Sequence, residues 1–196
     1  MSEKFLIKIA VKHFLKFGYE GTKLSHIAQE AGMKKQSLYF HFKNKDDLFV
    51  QVSLRVVEEE IEFLQSFFAG NLALSLKDML YALLLEYKSR YLDSANNGFM
   101  FLLTFIPPVQ LQSSFLDTYH LFLTYFKKLL KQKFLEEPRL RINPEDGPTS
   151  FITLLDGLMT QLIFETPKDF DNSLRIFWDI YWNGLIIVNS PRQGDV

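Results

Sequence analysis

The sequence predicts an all-α protein of about nine helices, with a small N-terminal head attached to a larger helical body. Apolar residues recur every three to four positions through most of the chain, and no segment shows the alternation typical of β-strands. Gly, Asn and Pro punctuate the helical stretches. At 196 residues and 47% hydrophobic content, the chain can bury a substantial core, which its 20 phenylalanines are expected to fill.

Composition indicates a reducing compartment and a protein outside the membrane. The chain has no cysteine, which excludes disulfides, thiolate nucleophiles and thiolate zinc sites. Lysines at positions 4, 8, 12 and 16 interrupt any apolar run at the N-terminus, so no secretory signal is predicted. No later segment reaches the roughly 18 uncharged residues of a membrane span. We therefore expect a cytoplasmic protein.

The charge is unevenly distributed along the chain. Residues 1–50 contain nine lysines against five acids, so they carry +4, whereas the remainder carries −5. A basic end on an acidic body predicts a polyanionic partner for that end only, although such an imbalance also arises by chance.

The first predicted helix covers residues 2–17 and ends at Gly18, which is expected to adopt a positive φ. Its apolar stripe comprises Ile7, Ala10, Val11, Phe14 and Leu15. Lysines spaced four apart lie on another face, where their mutual repulsion costs a few tenths of a kcal/mol per pair. A nearby phosphate backbone would turn that cost into a gain; the alternative is a solvated lysine face.

Two short helices around Gly32 have the layout of a helix-turn-helix unit. Thr22 is expected to cap the first of them by accepting hydrogen bonds from the amides ahead of it. Gly32 supplies the positive φ that a tight turn needs, and the second helix begins within about three residues. There, Leu38 and Phe42 face inward, which turns Lys35 and Gln36 outward.

The outward residue types suit DNA. Gln36 can pair with adenine, Lys35 can reach guanine acceptors, and Ser37 can contact either a base or a phosphate. Tyr39 and His41 suit phosphate oxygens. Asn44 is predicted to cap the next helix, with Asp47 three residues on. Lys45 lies in that helix's first turn, where a cation makes more sense beside a phosphate.

These residues together resemble the DNA-binding domain of the TetR/AcrR family of bacterial transcriptional regulators. The matching positions are Ala10, Phe14, Gly18, Tyr19, Thr22, Ile27, Ala28, Ala31, Gly32, Leu38, Tyr39, His41, Phe42, Lys45 and Leu48. The resemblance implies that a helix at residues 35–42 enters the major groove, while Thr22, Tyr39, His41 and Lys45 mainly touch the DNA backbone. The sequence departs from the family at Lys34, where a Ser or Thr cap is common, and at Gln36, where Gly is frequent.

The expected DNA-binding residues are Thr22, Lys23, Lys34, Lys35, Gln36, Ser37, Tyr39, His41 and Lys45. We expect a DNA-binding domain at residues 1–48 and a ligand-binding and dimerisation domain at residues 49–196. Further helices are predicted at residues 48–69, 76–92, 99–106, 109–135, 149–164 and 169–189, with a loop at 136–148.

The last two predicted helices are apolar nearly all round, which requires cover on every side. A second copy provides it most simply, as an isologous four-helix interface; the alternative is a monomer that buries both helices internally. The expected interface residues are Phe151, Leu155, Leu158, Leu162, Leu174, Trp178, Tyr181 and Leu185.

The resemblance also implies a ligand pocket in the body. The candidate lining residues are Tyr87, Tyr91, Phe101, Phe105, Tyr119, His120, Phe122 and Gln161. As a group they predict an apolar or aromatic ligand with one or two polar groups. The alternative for each residue is an ordinary place in the core.

The sequence offers no basis for catalysis, a metal or a cofactor. The four histidines show no metal-ligand spacing, and no Gly-rich phosphate loop or nucleophilic Ser elbow occurs. Glu58, Glu59 and Glu60 point in different directions around a helix, so a solvated face is expected. Asp156, in an apolar run, is expected to be hydrogen-bonded where two helices pair.

The sequence therefore predicts a homodimeric transcriptional regulator, a repressor that a small molecule releases from a pseudo-palindromic operator. One alternative keeps the DNA binding but gives the body a protein partner, as in a DNA-bound scaffold. Another is a helical carrier of lipids or other hydrophobes that does not bind DNA.

Overall fold

The computed structural model describes residues 2–96, 98–100 and 108–187. Most of the predicted helix at residues 99–106 lies outside this part, together with the pocket candidates Phe101 and Phe105. Within it, the only strand-like pairing is an isolated antiparallel bridge between Leu140 and Ile186. The predicted all-α fold is confirmed.

The described helices follow the predicted order. They are α1 (Glu3–Gly21), α2 (Leu24–Glu30), α3 (Lys35–Leu38), α4 (Lys45–Gly70), α5 (Leu76–Asp93), a 3₁₀ turn (Val109–Leu111), α6 (Gln112–Leu135), α7 (Gly147–Phe164) and α8 (Pro167–Leu185). The helix predicted at 35–42 is shorter than expected, because α3 ends at Leu38 and residues 39–41 form a turn.

The chain forms two compact units. The first unit comprises residues 1–69 and 89–126, and the second comprises residues 70–88 and 127–196. The predicted domain boundary at residue 48 divides the chain into a head and a body according to their expected roles. This boundary stays a prediction.

The first unit is built around the predicted stripe of α1. Ala10, Val11 and Phe14 are buried. The Phe14 ring meets the edge of Phe49 in α4 at 5.0 Å between centroids, and Phe49 in turn packs against Phe99 at 5.7 Å. This aromatic core fixes α4 against the head.

The second unit contains the pair α7 and α8. Helix α8 begins with a capping box that the sequence analysis missed: the hydroxyl of Thr166 accepts from the amide of Asp169, and the Asp169 carboxylate accepts from the amide of Thr166. The helix ends at Leu185, four residues before its predicted end. Beyond it the backbone pairs with residues 139–141, where the amide of Ile187 donates to the carbonyl of Arg139 at 2.7 Å.

The choice of dimer-interface residues requires a correction. Seven of the eight are buried within the single chain, namely Phe151, Leu155, Leu158, Leu162, Leu174, Trp178 and Leu185. They belong to the chain's own core, so a partner cannot reach them. Tyr181 is half-buried, and its hydroxyl lies 3.0 Å from that of Ser150. Periodicity showed that these side chains must be covered but not by which chain.

A second apolar stripe of α8 remains open. Ile176, Phe177 and Ile180 are 48%, 52% and 64% exposed. Helix α7 likewise presents Gly157 and Phe164 to solvent. A Cβ added at Gly157 would meet nothing within 4 Å, so the space in front of this glycine is open.

The acidic run of α4 is engaged in ion pairs. Arg55 pairs with Glu58 and Glu59, both at 3.1 Å, and Arg90 pairs with the buried Glu60 at 2.6 Å. The expectation of a wholly solvated face is therefore wrong for Glu60. In the described part of the chain, no group of three or more acidic or histidine side chains could hold a metal.

Asp156 differs from its predicted state. None of the described residues forms a hydrogen bond with its carboxyl group, although burial raises the pKa of that group to about 6.

None of the helices in the described ranges combines the length and apolar character that a membrane crossing requires.

Candidate nucleic-acid interface

The turn between α2 and α3 is a Schellman motif. Gly32 has φ +69°, the amide of Met33 donates to the carbonyl of Ala28 at 2.9 Å, and the amide of Gly32 donates to Gln29 at 3.0 Å. Because only a residue without a Cβ adopts this φ easily, Gly32 sets the angle between the two helices. The predicted helix-turn-helix layout is present.

Helix α1 is tied to this unit through a histidine. Nε2 of His13 lies 2.7 Å from a carboxylate oxygen of Glu30, at the end of α2. His13 is nearly buried, whereas Glu30 remains exposed. The contact helps to hold α2 against α1.

Residues 35–42, the recognition segment, have the predicted inner and outer sides. Leu38 and Phe42 are each 1% exposed, while Lys35, Gln36 and Tyr39 are exposed. The ammonium of Lys35 lies 5.8 Å from the centre of the Tyr39 ring. Leu38 and Phe42 thus anchor the segment from its buried side, and the polar groups of its exposed side chains are available to a DNA groove.

Helix α3 starts without a side-chain cap. Lys34 occupies the N-cap position, and its side chain makes no capping hydrogen bond, as its chemistry predicted. Ser37 and His41, flanking the exposed Tyr39, are half-buried. Lys23, the N-cap of α2, is exposed and also makes no capping bond.

Thr22 has a different role from the one predicted. It does not cap α2, since the N-cap of that helix is Lys23. Its hydroxyl instead donates to the carbonyls of Gly18 at 2.6 Å and His13 at 3.1 Å, and the residue is 2% exposed. Thr22 therefore closes the end of α1. The contact of Thr22 with a DNA phosphate stays a prediction, and it would require the phosphate to reach a buried side chain.

Gly18 shows why these acceptors are available. It has φ +65° inside the helical stretch Glu3–Gly21, so the helix is interrupted there. The amide of Thr22 donates to the carbonyl of Tyr19 at 3.3 Å and not to that of Gly18, so carbonyls at this end of the helix can accept from side-chain donors.

Lys45 supplies one of those donors. Its ammonium donates to the carbonyl of Tyr19 at 2.9 Å and lies 3.5 Å from that of Glu20. It also lies 4.2 Å from the centre of the Tyr19 ring. The Tyr19 hydroxyl donates to Asp46, and burial together with this carboxylate raises the pKa of Tyr19 to about 12. Consecutive residues of α4 therefore hold Tyr19 at its carbonyl and its hydroxyl.

Asn44 caps α4 as predicted, since its side-chain oxygen accepts from the amide of Asp47 at 2.8 Å. The Asp47 carboxylate accepts from the amide of Lys43 at 2.7 Å, one residue before the position that a capping box uses. Hydrogen bonds from Gln51 and from that amide lower the pKa of Asp47.

Sequence reasoning missed Phe40. This side chain is 89% exposed, between Tyr39 and His41 on the surface of the head. The spacing of the inward anchors already places position 40 outside, but only polar side chains were considered for DNA contact. An exposed aromatic ring can contact the apolar methyl group of thymine or a sugar.

The described pocket candidates are divided between the two units. Tyr91, Tyr119, His120 and Phe122 belong to the first unit, whereas Tyr87 and Gln161 belong to the second. Within the first unit, the Tyr119 ring packs near Phe122 at 6.2 Å, while His120 is exposed. A shared pocket stays a prediction.

Fold and site together define a class: helical proteins with an N-terminal helix-turn-helix unit. Residues 6–52 match the family model described as bacterial regulatory proteins, tetR family. The match bears out the resemblance of the N-terminal region to the TetR/AcrR family of bacterial transcriptional regulators over residues 6–52.

Individual relatives match the chain over different lengths. An uncharacterised regulator, YhgD of Bacillus subtilis, is 33% identical over 57 residues, which is 29% of this chain and 30% of YhgD. IcaR of Staphylococcus epidermidis, named as a negative regulator of a biofilm operon, is 28% identical over 88 residues, or 44% of this chain and 48% of IcaR. The chain thus spans less than half of these relatives. They are transcriptional regulators by name.

A structural comparison extends over nearly the whole chain. The crystal structure of FadR from Bacillus subtilis in complex with stearoyl-CoA has a TM-score of 0.72, with 16% identity. It covers 93% of this chain and 99% of that chain. This likeness shows a shared fold.

Proposed function

We propose that the protein is a homodimeric transcriptional repressor whose affinity for DNA is controlled by a small molecule, and that it is not an enzyme. One observation carries the proposal: Lys35, Gln36 and Tyr39 are presented outward from a helix-turn-helix unit, above the buried anchors Leu38 and Phe42. The name of IcaR as a negative regulator supports repression.

The recognition segments of two subunits would occupy successive major grooves of a pseudo-palindromic operator, about one helical turn apart. Gln36 and Lys35 would read base edges. Lys23, Lys34 and the rings of Tyr39 and His41 would contact the sugar-phosphate backbone. The short α3 restricts base contacts to few side chains, so backbone contacts supply much of the affinity.

The open stripe of α8 supports the homodimer. Ile176, Phe177 and Ile180 would pack against the same stripe of a second copy, with Gly157 of α7 allowing close approach. Such a face is self-complementary, as a two-fold interface requires. Joined in this way, two heads can bind one operator at a fixed spacing.

The effector would be apolar or aromatic with one or two polar groups. Since the FadR structure holds stearoyl-CoA, an acyl-CoA is one effector to test. The effector would reduce DNA affinity only to the extent that it prefers the conformation that does not bind the operator. We place the protein in the cytoplasm, where it can reach chromosomal DNA.

The test selects fragments bound from bacterial genomic DNA and measures their affinity by fluorescence anisotropy at several salt concentrations. We expect a dimer in solution, a defined pseudo-palindromic site and an affinity that falls steeply with salt. A monomer without affinity for any fragment at low salt would refute the proposal and favour the hydrophobe carrier. Specific DNA binding that no acyl-CoA or aromatic compound alters, with capture of a protein partner, would favour the scaffold; the comparisons give that alternative no support.

A further inference from the structure

A cleft of about 480 Å³ opens within the first unit. Its volume falls in the range of small-molecule sites. Helix α1 forms one side with Lys4, Lys8 and Lys12, and α4 contributes Arg55 and Glu59. Asp93 and the residues directly after it complete the lining.

The carboxylates of the cleft already have partners. Glu59 pairs with Arg55 at 3.1 Å and accepts a hydrogen bond from the side-chain amide of Asn96. Asp93 accepts from the hydroxyl of Ser89 at 3.2 Å. Arg55 therefore balances the charge of Glu59, whereas Asp93 keeps its charge and has a neutral hydroxyl as its hydrogen-bond partner.

The lysines have no such partners. Lys4, Lys8 and Lys12 are exposed, and among the described residues no carboxylate lies within ion-pairing distance of their ammonium groups. Their spacing of four residues stacks them on one face of α1, where like charges repel. A bound anion would relieve this repulsion inside a partly enclosed space, where screening by water is weaker than on an open surface.

Lys16 shows that the lysine row and the cleft are distinct features. It continues the row by one turn and is exposed, but it does not line the cleft, and its ammonium lies 5.1 Å from the centre of the Phe17 ring. If the lysine row served only as a solvated or DNA-facing surface, Lys16 would contribute to binding as its neighbours do. If the site lies within the cleft, Lys16 would contribute little.

We propose that this cleft binds a small organic anion with two or more negative charges, carried on phosphate or carboxylate groups. Lys8 and Lys12 would pair with the anionic groups, and Lys4 would add to the attraction. Ser94 and Asn96 offer neutral polar groups for other parts of the ligand. A small anion suits the partly enclosed volume better than a duplex, which is too wide to enter a cleft of about 480 Å³.

Such an anion would contact α1 and α4 at the same time. Helix α4 also carries Lys45, which is bonded to the end of α1, so occupancy of the cleft would alter the support of the recognition unit. This regulatory consequence rests on the proposed DNA-binding function, whereas the binding itself does not.

The binding test titrates the full chain with inorganic pyrophosphate and, separately, with citrate, by calorimetry at low ionic strength. We expect saturable binding of one anion per chain by at least one probe. The affinity should fall at least tenfold in Lys8→Gln and Lys12→Gln and stay unchanged in Lys16→Gln. A preference for pyrophosphate identifies phosphate as the recognised group, and a preference for citrate identifies carboxylate. Binding that is unsaturable, absent for both probes or weakened equally by Lys16→Gln would overturn the proposal.

Two controls separate the explanations. The thermal midpoint without anion should change little in any variant, because all three lysines are exposed and the repulsion between neighbouring lysines costs only a few tenths of a kcal/mol per pair. If Lys8→Gln keeps its affinity for pyrophosphate but loses affinity for duplex DNA, the row is a DNA surface and the cleft proposal fails. If the expected pattern with pyrophosphate appears while the chain binds no DNA, the anion site stands and the proposed repressor function fails.

Discussion

The ammonium of Lys45 donates a hydrogen bond to the backbone carbonyl of Tyr19 at 2.9 Å and lies 4.2 Å from the centre of the same residue's ring. The carbonyls at the end of a helix have no partner within it, so this lysine completes α1 from the first turn of α4. A residue that the family resemblance assigns to phosphate contact therefore also has a structural role in the unbound protein.

Replacing Lys45 should destabilise the head. We expect Lys45→Ala to lower the free energy of unfolding by about 1 kcal/mol, because a charged hydrogen bond and a cation-π contact are lost from a partly exposed site. Urea denaturation at fixed protein concentration measures the change. The matched control is Lys43→Ala, which removes the same charge from an exposed side chain nearby. An equal loss of stability in both variants would show that the Tyr19 contact contributes nothing.

The same substitution should weaken DNA binding without changing its specificity. If Lys45 also reaches a phosphate, Lys45→Ala lowers the affinity for operator and scrambled duplexes by a similar factor, and the slope of log affinity against log salt falls by about 1. Anisotropy titrations well below the unfolding temperature separate this effect from the loss of stability. An unchanged salt slope would mean that Lys45 acts only through Tyr19.

Gln36 should have the opposite signature. It is exposed in the first turn of α3, without a partner among the described residues, where its amide can pair with a base edge. We expect Gln36→Ala to cost about 1 to 3 kcal/mol of discrimination at one base pair of the operator, and to leave the affinity for scrambled DNA nearly unchanged. Affinities for operators substituted at each position provide the measurement. A uniform loss across all sequences would assign Gln36 to the backbone.

These residues show what sequence periodicity can and cannot determine. Leu38 and Phe42 were predicted to be inward, and both are buried, because side-chain direction on a helix follows from spacing alone. Thr22 was assigned the wrong partner, since its hydroxyl could serve either neighbouring helix and the interruption at Gly18 created the better acceptors. Leu174 was assigned to the wrong interface, because an apolar residue records that it is covered and not by which chain.

Asp156 should make the free energy of unfolding fall as the pH rises. Burial raises the pKa of its carboxyl group from 3.8 to about 6, so the folded protein retains this proton at pH values where the unfolded chain has lost it. The contribution of this bound proton to the free energy of unfolding is fully present below about pH 4 and is lost as the pH rises through about 6. At pH 7 the charged group costs up to about 3 kcal/mol.

We therefore expect Asp156→Asn to stabilise the protein at pH 7 and to have little effect near pH 4, because the amide is neutral at both values. Chemical denaturation of both proteins at a series of pH values, at one protein concentration, isolates this residue, since all other groups titrate in both. A stability difference that does not vary between pH 4 and pH 7 would show that the carboxyl group keeps its ordinary pKa.

The two apolar stripes of α8 can be separated by a pair of substitutions. Ile180 is 64% exposed on the open stripe, whereas Leu174 is 3% exposed on the stripe that faces the chain's own core. A carboxylate at position 180 stays solvated in a folded monomer but would be buried against a second copy, which is costly. We expect Ile180→Asp to yield a folded monomer by light scattering and circular dichroism, with operator affinity reduced at least a hundredfold. Leu174→Asp should instead lose the fold, as an unpaired charge enters the core. An Ile180→Asp protein that remains dimeric would place the interface elsewhere on the surface.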